Sequence, residues 1–470
     1  MLKKIDTRGG APVPLYAIPG GGGTGGTWSP QGQIIFSAGF FSPLLKIPAA
    51  GGSPSVAAET DVAGSAFPWF LPDGEHFLFV SWPGSGRATL RVGSLRSTDS
   101  RTLMEVDLNV IYASGHLLYM RGDSLVAQPF DADALRTTGE AVLVAEPVRR
   151  LQGGLISAGM FSASRTGLLA FQSGAATPDL QLTWFDREGN AVGQLGDAKR
   201  FWDVRFSPDG RNLLASVPDE VGNFDLWKFD MIRGLAGRFT TDDGGEYYGV
   251  WSADGRTEYF NSTRGGHYDL YRTPAAGGAG ELLHADDMEK VPTSVSKDGR
   301  NLLYFTGGSR FKLWRLPLLP DQGGAPLRPV PMSGTTFNAA WAQFSPDDEW
   351  IAYQSDESGQ SEVYVARFAE PARGYRISAS GGTLPRWRAD GKAIFFADRS
   401  GMLQEAQLRI TEDGVDVTGV NRVFSRVRIG HGYPYDVVAD ASRALVAIDV
   451  AAPGSGEPLT LVENWTAIRR

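Results

Sequence analysis

The chain has 470 residues, of which 42% are hydrophobic and 11% aromatic, enough to build a packed core in more than one domain. A formal charge of −8 argues against nucleic acid or an anionic membrane surface as the main partner. Cysteine is absent, which excludes disulfides, thiolate metal sites and cysteine nucleophiles. We expect no membrane insertion and no export signal, because the sequence has neither a long apolar run nor an apolar N-terminal segment.

One short motif recurs along the chain, an apolar residue followed by Ser-Pro-Asp-Gly or by a degenerate form of that sequence. Proline presets φ, and Asp-Gly supplies the left-handed backbone that a tight reversal needs. An apolar strand follows each copy, and then a second landmark such as FDLWKFD at 224–230 or YDLYRTP at 268–274. In chain order the copies begin near residues 28, 70, 112, 161, 206, 251, 295, 344, 387 and 437.

This spacing predicts an all-β fold, a β-propeller built from repeated four-stranded blades. Neighbouring clean copies lie 42 to 49 residues apart, the length of one propeller blade. The aromatic residue before each turn is expected to pack between blades. The last six motifs predict a six-bladed C-terminal propeller at 181–470, and the first four predict a partial N-terminal propeller at 1–180. One ten-bladed ring is the alternative.

The last blade of the C-terminal propeller is expected to combine strands from the two ends of that propeller. Its inner strands are expected near 435–438 and 443–449, followed by LTLVENW at 459–465 as the third strand. Residues 191–195 would then lend the outer strand. At the other end, residues 2–6 are typical of a third strand whose first two partners are missing.

Several stretches resemble TolB-type, WD40-like propellers, above all STRGG at 262–266 with YDLY at 268–271, and SDESGQSEVYVARF at 355–368. Four others are similar to the propeller region that follows the transmembrane helix of bacterial, notably acidobacterial, serine/threonine protein kinases. The resemblance implies a sensor or scaffold outside the cytoplasm, or a periplasmic TolB-like assembly factor, although the kinase motifs are absent. These four stretches are 70–80, 182–196, 385–396 and 459–467.

The sequence predicts no enzyme, no catalytic residue, no cofactor and no metal. It has no G-x-S-x-G elbow, so serine catalysis is not expected. The acidic loops 241–246 and 284–289 could offer oxygen ligands to calcium, but they fit no calcium-loop spacing. A metal-dependent propeller hydrolase or lyase is the rival hypothesis. The five histidines are scattered without metal-ligand spacing: His76, His116, His267, His284 and His431.

Polar and aromatic residues near the predicted inner strands form the candidate site. In a ring, equivalent positions of successive blades converge at one mouth of the central channel, where half-exposed Trp, Tyr and Arg are suited to binding. The expected partner is a protein or peptide, or a small anionic ligand. The alternative is that the aromatic residues only fill the blade interfaces. The candidates are Arg205, Gln343, Arg386, Asp436, Trp202, Tyr247, Tyr248, Trp341, Tyr433 and Tyr435.

Overall fold

A computed structural model describes residues 2–16, 18, 25–38, 43–59, 64–82, 88–153, 156–174, 180–219, 223–307, 311–319, 327–332, 337–412, 414–427, 432–450 and 459–467. The chain forms two compact units. Unit 1 comprises Met1–Pro178 with Ala451–Arg470, and unit 2 comprises Asp179–Val450. The prediction that 1–180 and 181–470 are separate folding domains stays a prediction, but the last residues of the chain belong to unit 1.

Short β-strands make up nearly all of the regular structure of the first part of the chain. They are β1 (Leu2–Lys4), β2 (Val13–Tyr16), β3 (Gly26–Trp28), β4 (Gln33–Ser37), β5 (Leu44–Pro48), β6 (Ser55–Ala58), β7 (Gly64–Phe70), β8 (His76–Trp82), β9 (Thr89–Ser94), β10 (Ser97–Glu105), β11 (Val110–Ala113), β12 (His116–Arg121), β13 (Ser124–Asp131), β14 (Arg136–Thr137), β15 (Val142–Ala145), β16 (Arg150–Gly153), β17 (Ile156–Gly159), β18 (Phe161–Ala163) and β19 (Leu169–Gln172).

The rest of the chain continues in the same way. It forms β20 (Leu180–Asp186), β21 (Ala191–Lys199), β22 (Val204–Phe206), β23 (Asn212–Pro218), β24 (Phe224–Asp230), β25 (Leu235–Arg238), β26 (Glu246–Trp251), β27 (Thr257–Ser262), β28 (Asp269–Pro274), β29 (Glu281–His284), β30 (Lys290–Val295), β31 (Asn301–Thr306), β32 (Lys312–Pro317), β33 (Val330–Pro331), β34 (Ala339–Phe344), β35 (Trp350–Ser355), β36 (Glu362–Arg367), β37 (Glu370–Arg376), β38 (Thr383–Trp387), β39 (Ala393–Ala397), β40 (Met402–Ile410), β41 (Val415–Arg426), β42 (Tyr435–Val437), β43 (Arg443–Asp449), β44 (Leu459–Val462) and a 3₁₀ turn at Trp465–Ala467.

Unit 2 contains six four-stranded antiparallel sheets among its described residues. Five are made of consecutive strands: blade 1 (β22–β25), blade 2 (β26–β29), blade 3 (β30–β33), blade 4 (β34–β37) and blade 5 (β38–β41). Blade 6 has the order β42-β43-β20-β21 and so joins both ends of the unit. Its register pairs Leu182 with Ala447 and Thr183 with Val446.

Buried apolar clusters lie between consecutive blades all the way round unit 2. Between blades 1 and 2 the cluster contains Leu226 and Phe260. Further clusters join blades 2 and 3, 3 and 4, 4 and 5, and 5 and 6. The last cluster joins blade 6 to blade 1 through Leu445, Leu182 and Leu213. Because the sixth blade packs on the first, unit 2 is a closed β-propeller, and the all-β propeller prediction is confirmed.

The predicted third strand of the closing blade is wrong. Blade 6 takes β20 as its third strand, whereas β44, which begins at Leu459, pairs with β19. The period-two pattern of 459–465 fits any half-buried strand, so it could not choose a partner. The outer strand was predicted in the right place, since β21 covers 191–195.

The Ser-Pro-Asp-Gly turns do what their residue types imply. Gly210, Gly255, Gly299 and Gly391 have φ between 67° and 71°, the left-handed region that glycine enters without strain. In blade 1 the Ser207 hydroxyl donates to Asp209 at 2.6 Å and also accepts the N–H of Asn212. The same serine–aspartate hydrogen bond recurs in blades 2 and 3. The motif therefore stabilises the turn through its own side chains.

Unit 1 is less regular. Its described sheets include β3–β6 and β7–β10 in consecutive order, and a further sheet around β12 and β13. Strand β1, predicted as a third strand, pairs with β2 in a two-stranded sheet. Strand β44 completes the sheet β18-β19-β44, and Trp465, just beyond it, is buried among residues of β12 and β19.

Candidate functional site

The inner strands of unit 2 carry a repeated irregularity at the level of the candidate residues. In blades 2, 4 and 5 one extra residue interrupts the ladder between the first and second strands. Tyr248, Trp341 and Leu384 lie at these bulges with φ of 56–57°. A bulge redirects side chains, and a left-handed non-glycine residue persists only where its surroundings hold it. Tyr248 and Trp341 are therefore fixed where they meet their neighbours.

Arg205 of blade 1 reaches across the ring. Its Nη1 donates to the carbonyl of Thr293 in blade 3 at 3.0 Å and to Oε1 of Gln343 in blade 4 at 3.3 Å. The Gln343 amide in turn donates to the same Thr293 carbonyl at 2.7 Å. Burial lowers the pKa of Arg205 to about 10, with the neighbouring Arg386 charge as the next cause, so the guanidinium stays charged at neutral pH.

Arg386 of blade 5 points to the same place as Arg205. Its Nη1 donates to Gln343 Oε1 at 3.4 Å and its Nη2 to the carbonyl of Val204 in blade 1 at 3.3 Å. Its Nε lies 3.5 Å from Asp436 Oδ1, and its guanidinium carbon lies 3.8 Å from the ring centre of Tyr433. Blades 1, 3, 4, 5 and 6 are thus tied together by polar contacts around the axis. We call Arg205, Gln343, Arg386, Tyr433 and Asp436 the axial cluster.

A second carboxyl lies beside the axial cluster. Asp203 is buried, and its carboxylate accepts a hydrogen bond from the Ser216 hydroxyl. Desolvation raises the pKa of Asp203 to about 6, although Ser216 and the two arginines favour its ionised form. Asp436 already accepts the backbone N–H of Phe206 at 2.8 Å. Arg205 and Arg386 therefore lie near two carboxyl groups. That of Asp436 already accepts a backbone hydrogen bond, and that of Asp203 has a pKa raised towards neutral pH.

Aromatic side chains from several blades meet next to the axial cluster. The Trp202 indole donates to the Tyr248 hydroxyl at 2.7 Å, and the Tyr248 and Trp341 rings lie 5.7 Å apart. Trp341 also contacts Tyr433 at 5.4 Å, so the aromatic residues run into the axial cluster. We call the following residues the aromatic cluster: Trp202, Phe224, Tyr247, Tyr248, Tyr268, Phe305, Phe311 and Trp341.

The ten predicted site residues do come together, but not with the expected exposure. Five of them are partly exposed: Trp202, Arg205, Tyr247, Trp341 and Asp436. The expectation of half-exposed side chains is wrong for Arg386, Gln343, Tyr248, Tyr433 and Tyr435, which are 0–7% exposed. The cause is that side chains from several blades meet near the axis and cover one another.

Tyr435 belongs to the blade interface. Its hydroxyl donates to the carbonyl of Leu384 at 2.7 Å, and its ring is fully buried between blades 5 and 6. The structural alternative raised from the sequence therefore describes Tyr435 well. Whether the other nine residues bind a ligand stays a prediction.

Sequence reasoning missed part of the site. Asp203, Phe224, Tyr268, Phe305 and Phe311 all contribute and were not predicted. Phe224 and Tyr268 each stand directly before the D-L landmark of the third strand, which is a signal that the repeat alignment contained. The carbonyl acceptors Thr293 and Val204 left no signal, because any residue type supplies a carbonyl.

Arginine and lysine side chains of this protein form ion pairs with carboxylates of the two acidic loops. Arg264 lies 2.7 Å from Asp242 and 3.3 Å from Glu246, and desolvation raises the pKa of Glu246 to about 7. Lys290, fully buried, lies 2.9 Å from Asp269 and 2.8 Å from Asp286. The role of these carboxylates in the structure is thus to pin the loops at the ends of the strands.

The described residues contain no group of three His, Cys, Asp or Glu side chains placed to hold a metal ion. His431 lies outside the described residues. Of the other histidines, His76 contacts Asp73 and His284 contacts Asp286 at 3.0 Å, within local turns. Nor does any helix in the described part of the chain have the length and apolar character of a membrane span.

No protein-family model matches the chain. An uncharacterised protein of Agrobacterium fabrum is 33% identical over 79 residues, which are 17% of this chain and 26% of that protein. The chain thus matches about a quarter of the length of this relative.

Two of the solved structures that are similar to this chain carry the name TolB. One, assigned as TolB from Agrobacterium tumefaciens, is 17% identical with a TM-score of 0.45, covering 58% of this chain and 99% of that one. TolB from Acinetobacter baumannii is 14% identical with a TM-score of 0.33, covering 76% of this chain and 64% of that one. Because both scores are below 0.5, the assignment to the β-propeller proteins rests on the strand order and registers described above.

Proposed function

We propose that this protein is a non-catalytic binding module that holds a protein or peptide partner at the aromatic end of the unit 2 ring. The observation that carries the proposal is the aromatic cluster, in which side chains of separate blades meet beside the axis. Tyr247 and Trp341 remain partly exposed there, and Phe337, which directly precedes blade 4, is 45% exposed. Large aromatic residues around a partly open mouth supply the contact area that binding interfaces use.

A filler role accounts for only part of this cluster. A blade interface needs apolar volume, and at the equivalent bulge of blade 5 Leu384 supplies it with the same left-handed backbone. The large aromatic side chains of Trp341 and Tyr248 at this position go beyond that need and are the residue types that binding interfaces favour. The indole–hydroxyl bond between Trp202 and Tyr248 further fixes the surface before any partner arrives.

We place this module outside the cytoplasm, as a sensor or scaffold of a receptor-kinase-like system. The basis is the resemblance of 182–196, 385–396 and 459–467 to kinase-linked propellers. A TolB-like envelope assembly factor differs from this proposal only in its partner. A metal-dependent hydrolase has less support, because Arg264 and Lys290 already pair with three carboxylates of the acidic loops, those of Asp242, Glu246 and Asp286.

Site-specific cross-linking tests the proposal. A photoreactive amino acid replaces Phe337, whose chain neighbour Asn338 accepts the N–H of Phe311 from the aromatic cluster. In a matched control it replaces Leu235, which is 64% exposed on the outermost strand of blade 1. We expect one defined protein, identified by mass spectrometry in the native host, to be captured from position 337 and not from position 235. Trp341→Ala should reduce that capture at least tenfold.

Equal capture from both positions, or capture unchanged by Trp341→Ala, would contradict the proposal. Thermal melts of both labelled proteins must coincide with that of the parent chain, so that loss of fold is not mistaken for loss of binding. A catalytic activity that depends on an added metal and is lost with the loop carboxylates would favour the hydrolase instead.

A further inference from the structure

One edge of the Arg205 guanidinium in the axial cluster lacks hydrogen-bond partners among the described residues. The described hydrogen bonds of Arg205 use only Nη1. Its Nε is buried without a hydrogen-bond partner, and the two described side-chain hydrogen bonds leave Nη2 unused. Nε and Nη2 form the edge of a guanidinium that points two parallel N–H groups in one direction.

This protein pairs that same edge with carboxylates elsewhere. Nε and Nη2 of Arg272 donate to the two oxygens of Glu281 at 2.9 and 3.0 Å. Nε and Nη2 of Arg388 do the same with Asp390, both at 2.8 Å. Arg205 is thus arranged like these arginines but lacks the carboxylate.

The charge balance points the same way. Arg205 and Arg386 are both cationic, and Asp436 supplies one carboxylate, 3.5 Å from Arg386. The Nε of Arg386 also lacks a hydrogen bond, and Arg386 is only 6% exposed. A buried unpaired donor on a charged group is costly, so an additional monoanion would relieve both arginines. With Asp203 protonated, which its pKa of about 6 favours beside a bound anion, the two arginines and Asp436 leave one positive charge. A monoanion balances that charge, whereas a dianion such as phosphate exceeds it.

We propose that the axial cluster binds one carboxylate group, with Arg205 as its bidentate partner and Arg386 as the second cation. Tyr433 holds both guanidinium groups in place, at 5.2 Å from Arg205 and 3.8 Å from Arg386. Because Trp341 touches Tyr433, a carboxylate here would anchor an apolar group lying on the aromatic cluster. The inference therefore rests on the proposed function and names the chemistry of the ligand.

Calorimetric titration of the full chain at constant ionic strength tests this. The probes are N-acetylphenylalanine, as a free small carboxylate, and a short peptide ending in phenylalanine with a free C-terminus. Each is compared with its amide, which has the same shape without the charge. We expect both acids to bind at least tenfold more tightly than their amides. Binding of the peptide alone would assign the site to a protein C-terminus, and binding of the small acid alone would assign it to a metabolite-sized ligand.

Three variants make the test specific. Arg205→Gln should weaken binding at least tenfold, and Arg205→Lys, which keeps the charge but loses the fork, should weaken it nearly as much. Arg443→Gln is the control, since Arg443 packs 4.3 Å from Trp184 in blade 6 and is absent from the axial cluster.

Equal binding of acids and amides, or full binding by both Arg205 variants, would overturn the inference. So would an equal loss with Arg443→Gln, and so would the failure of every acid to bind. The proposed function is judged separately, because cross-linking from position 337 does not need a carboxylate on the partner.

Discussion

The cores of the two units differ in buried charge. Among the described residues of unit 1, the buried polar side chains are serines and one asparagine. The described residues of unit 2 bury charged groups in most blades, including Asp203, Glu258, Lys290 and Arg386. Burying a charge is expensive unless it is paired, so a fold that needs only stability avoids it. The described core of unit 2 therefore contains charged groups that need partners, whereas the described core of unit 1 is built by apolar packing.

The largest expected effect comes from cutting the chain at the unit boundary. A fragment of residues 180–450 contains all the strands of blades 1–6, so it should be soluble and melt cooperatively. A fragment of residues 187–450 lacks β20, the third strand of blade 6, and should fail to fold because the ring is left open. Circular dichroism melts and size-exclusion chromatography check both. Equal folding of the two fragments would show that closure by β20 is unimportant.

The next largest effect is expected from truncating one buried tryptophan in each unit. Trp465 in unit 1 and Trp350 in unit 2 are each 2% exposed in apolar clusters. Truncation of either to alanine should cost about 3–5 kcal/mol through lost contacts and a cavity. In calorimetry, Trp465→Ala should lower the transition of unit 1 and Trp350→Ala that of unit 2. A single transition that moves identically in both variants would mean that the units unfold as one body.

A smaller effect is expected at the turns. Gly255 has φ of 68° and an added Cβ would meet nothing closer than Pro208 at 3.8 Å. Gly255→Val should therefore cost of order 1–3 kcal/mol through backbone strain alone. Gly32, with φ of 82° and open space around it, is the counterpart in unit 1. Urea titration should show similar losses for the two valine variants, and a neutral Gly255→Val would contradict the turn assignment.

The smallest effect is on pH dependence, and it distinguishes the units by charge. Burial raises the pKa of Glu258 from 4.5 to about 8, and its nearest cation, Lys228, is 3.8 Å away. Between pH 4.5 and about pH 8, Glu258 keeps its proton in the folded state but has released it in the unfolded state. The free energy of unfolding therefore falls as the pH rises. Glu258→Gln should flatten this slope for unit 2, by about 1 kcal/mol between pH 5 and 6. Melts of the fragment 180–450 across that range measure it, and an unchanged slope would mean that Glu258 is ionised throughout.

The repeat alone determined the fold class. Turn chemistry and period-two alternation are local properties, so Ser207 to Gly210 and its copies predicted the turns and the blades. The repeat also predicted that equivalent positions such as Arg205 and Arg386 would converge, because a ring brings equal positions of its blades to one axis. What it predicted less well was their environment.

Tertiary structure decided which strand closes each unit and how deeply the axis is buried. The segments 180–186 and 459–462 have similar alternating patterns, and only packing against Ala447 or Ala170 distinguishes their partners. Likewise, the sequence places Arg205, Gln343 and Arg386 near the axis, but their mutual contacts depend on how narrow the closed ring is. Long-range pairing and confinement arise from the whole fold, so the local pattern of residues does not contain them.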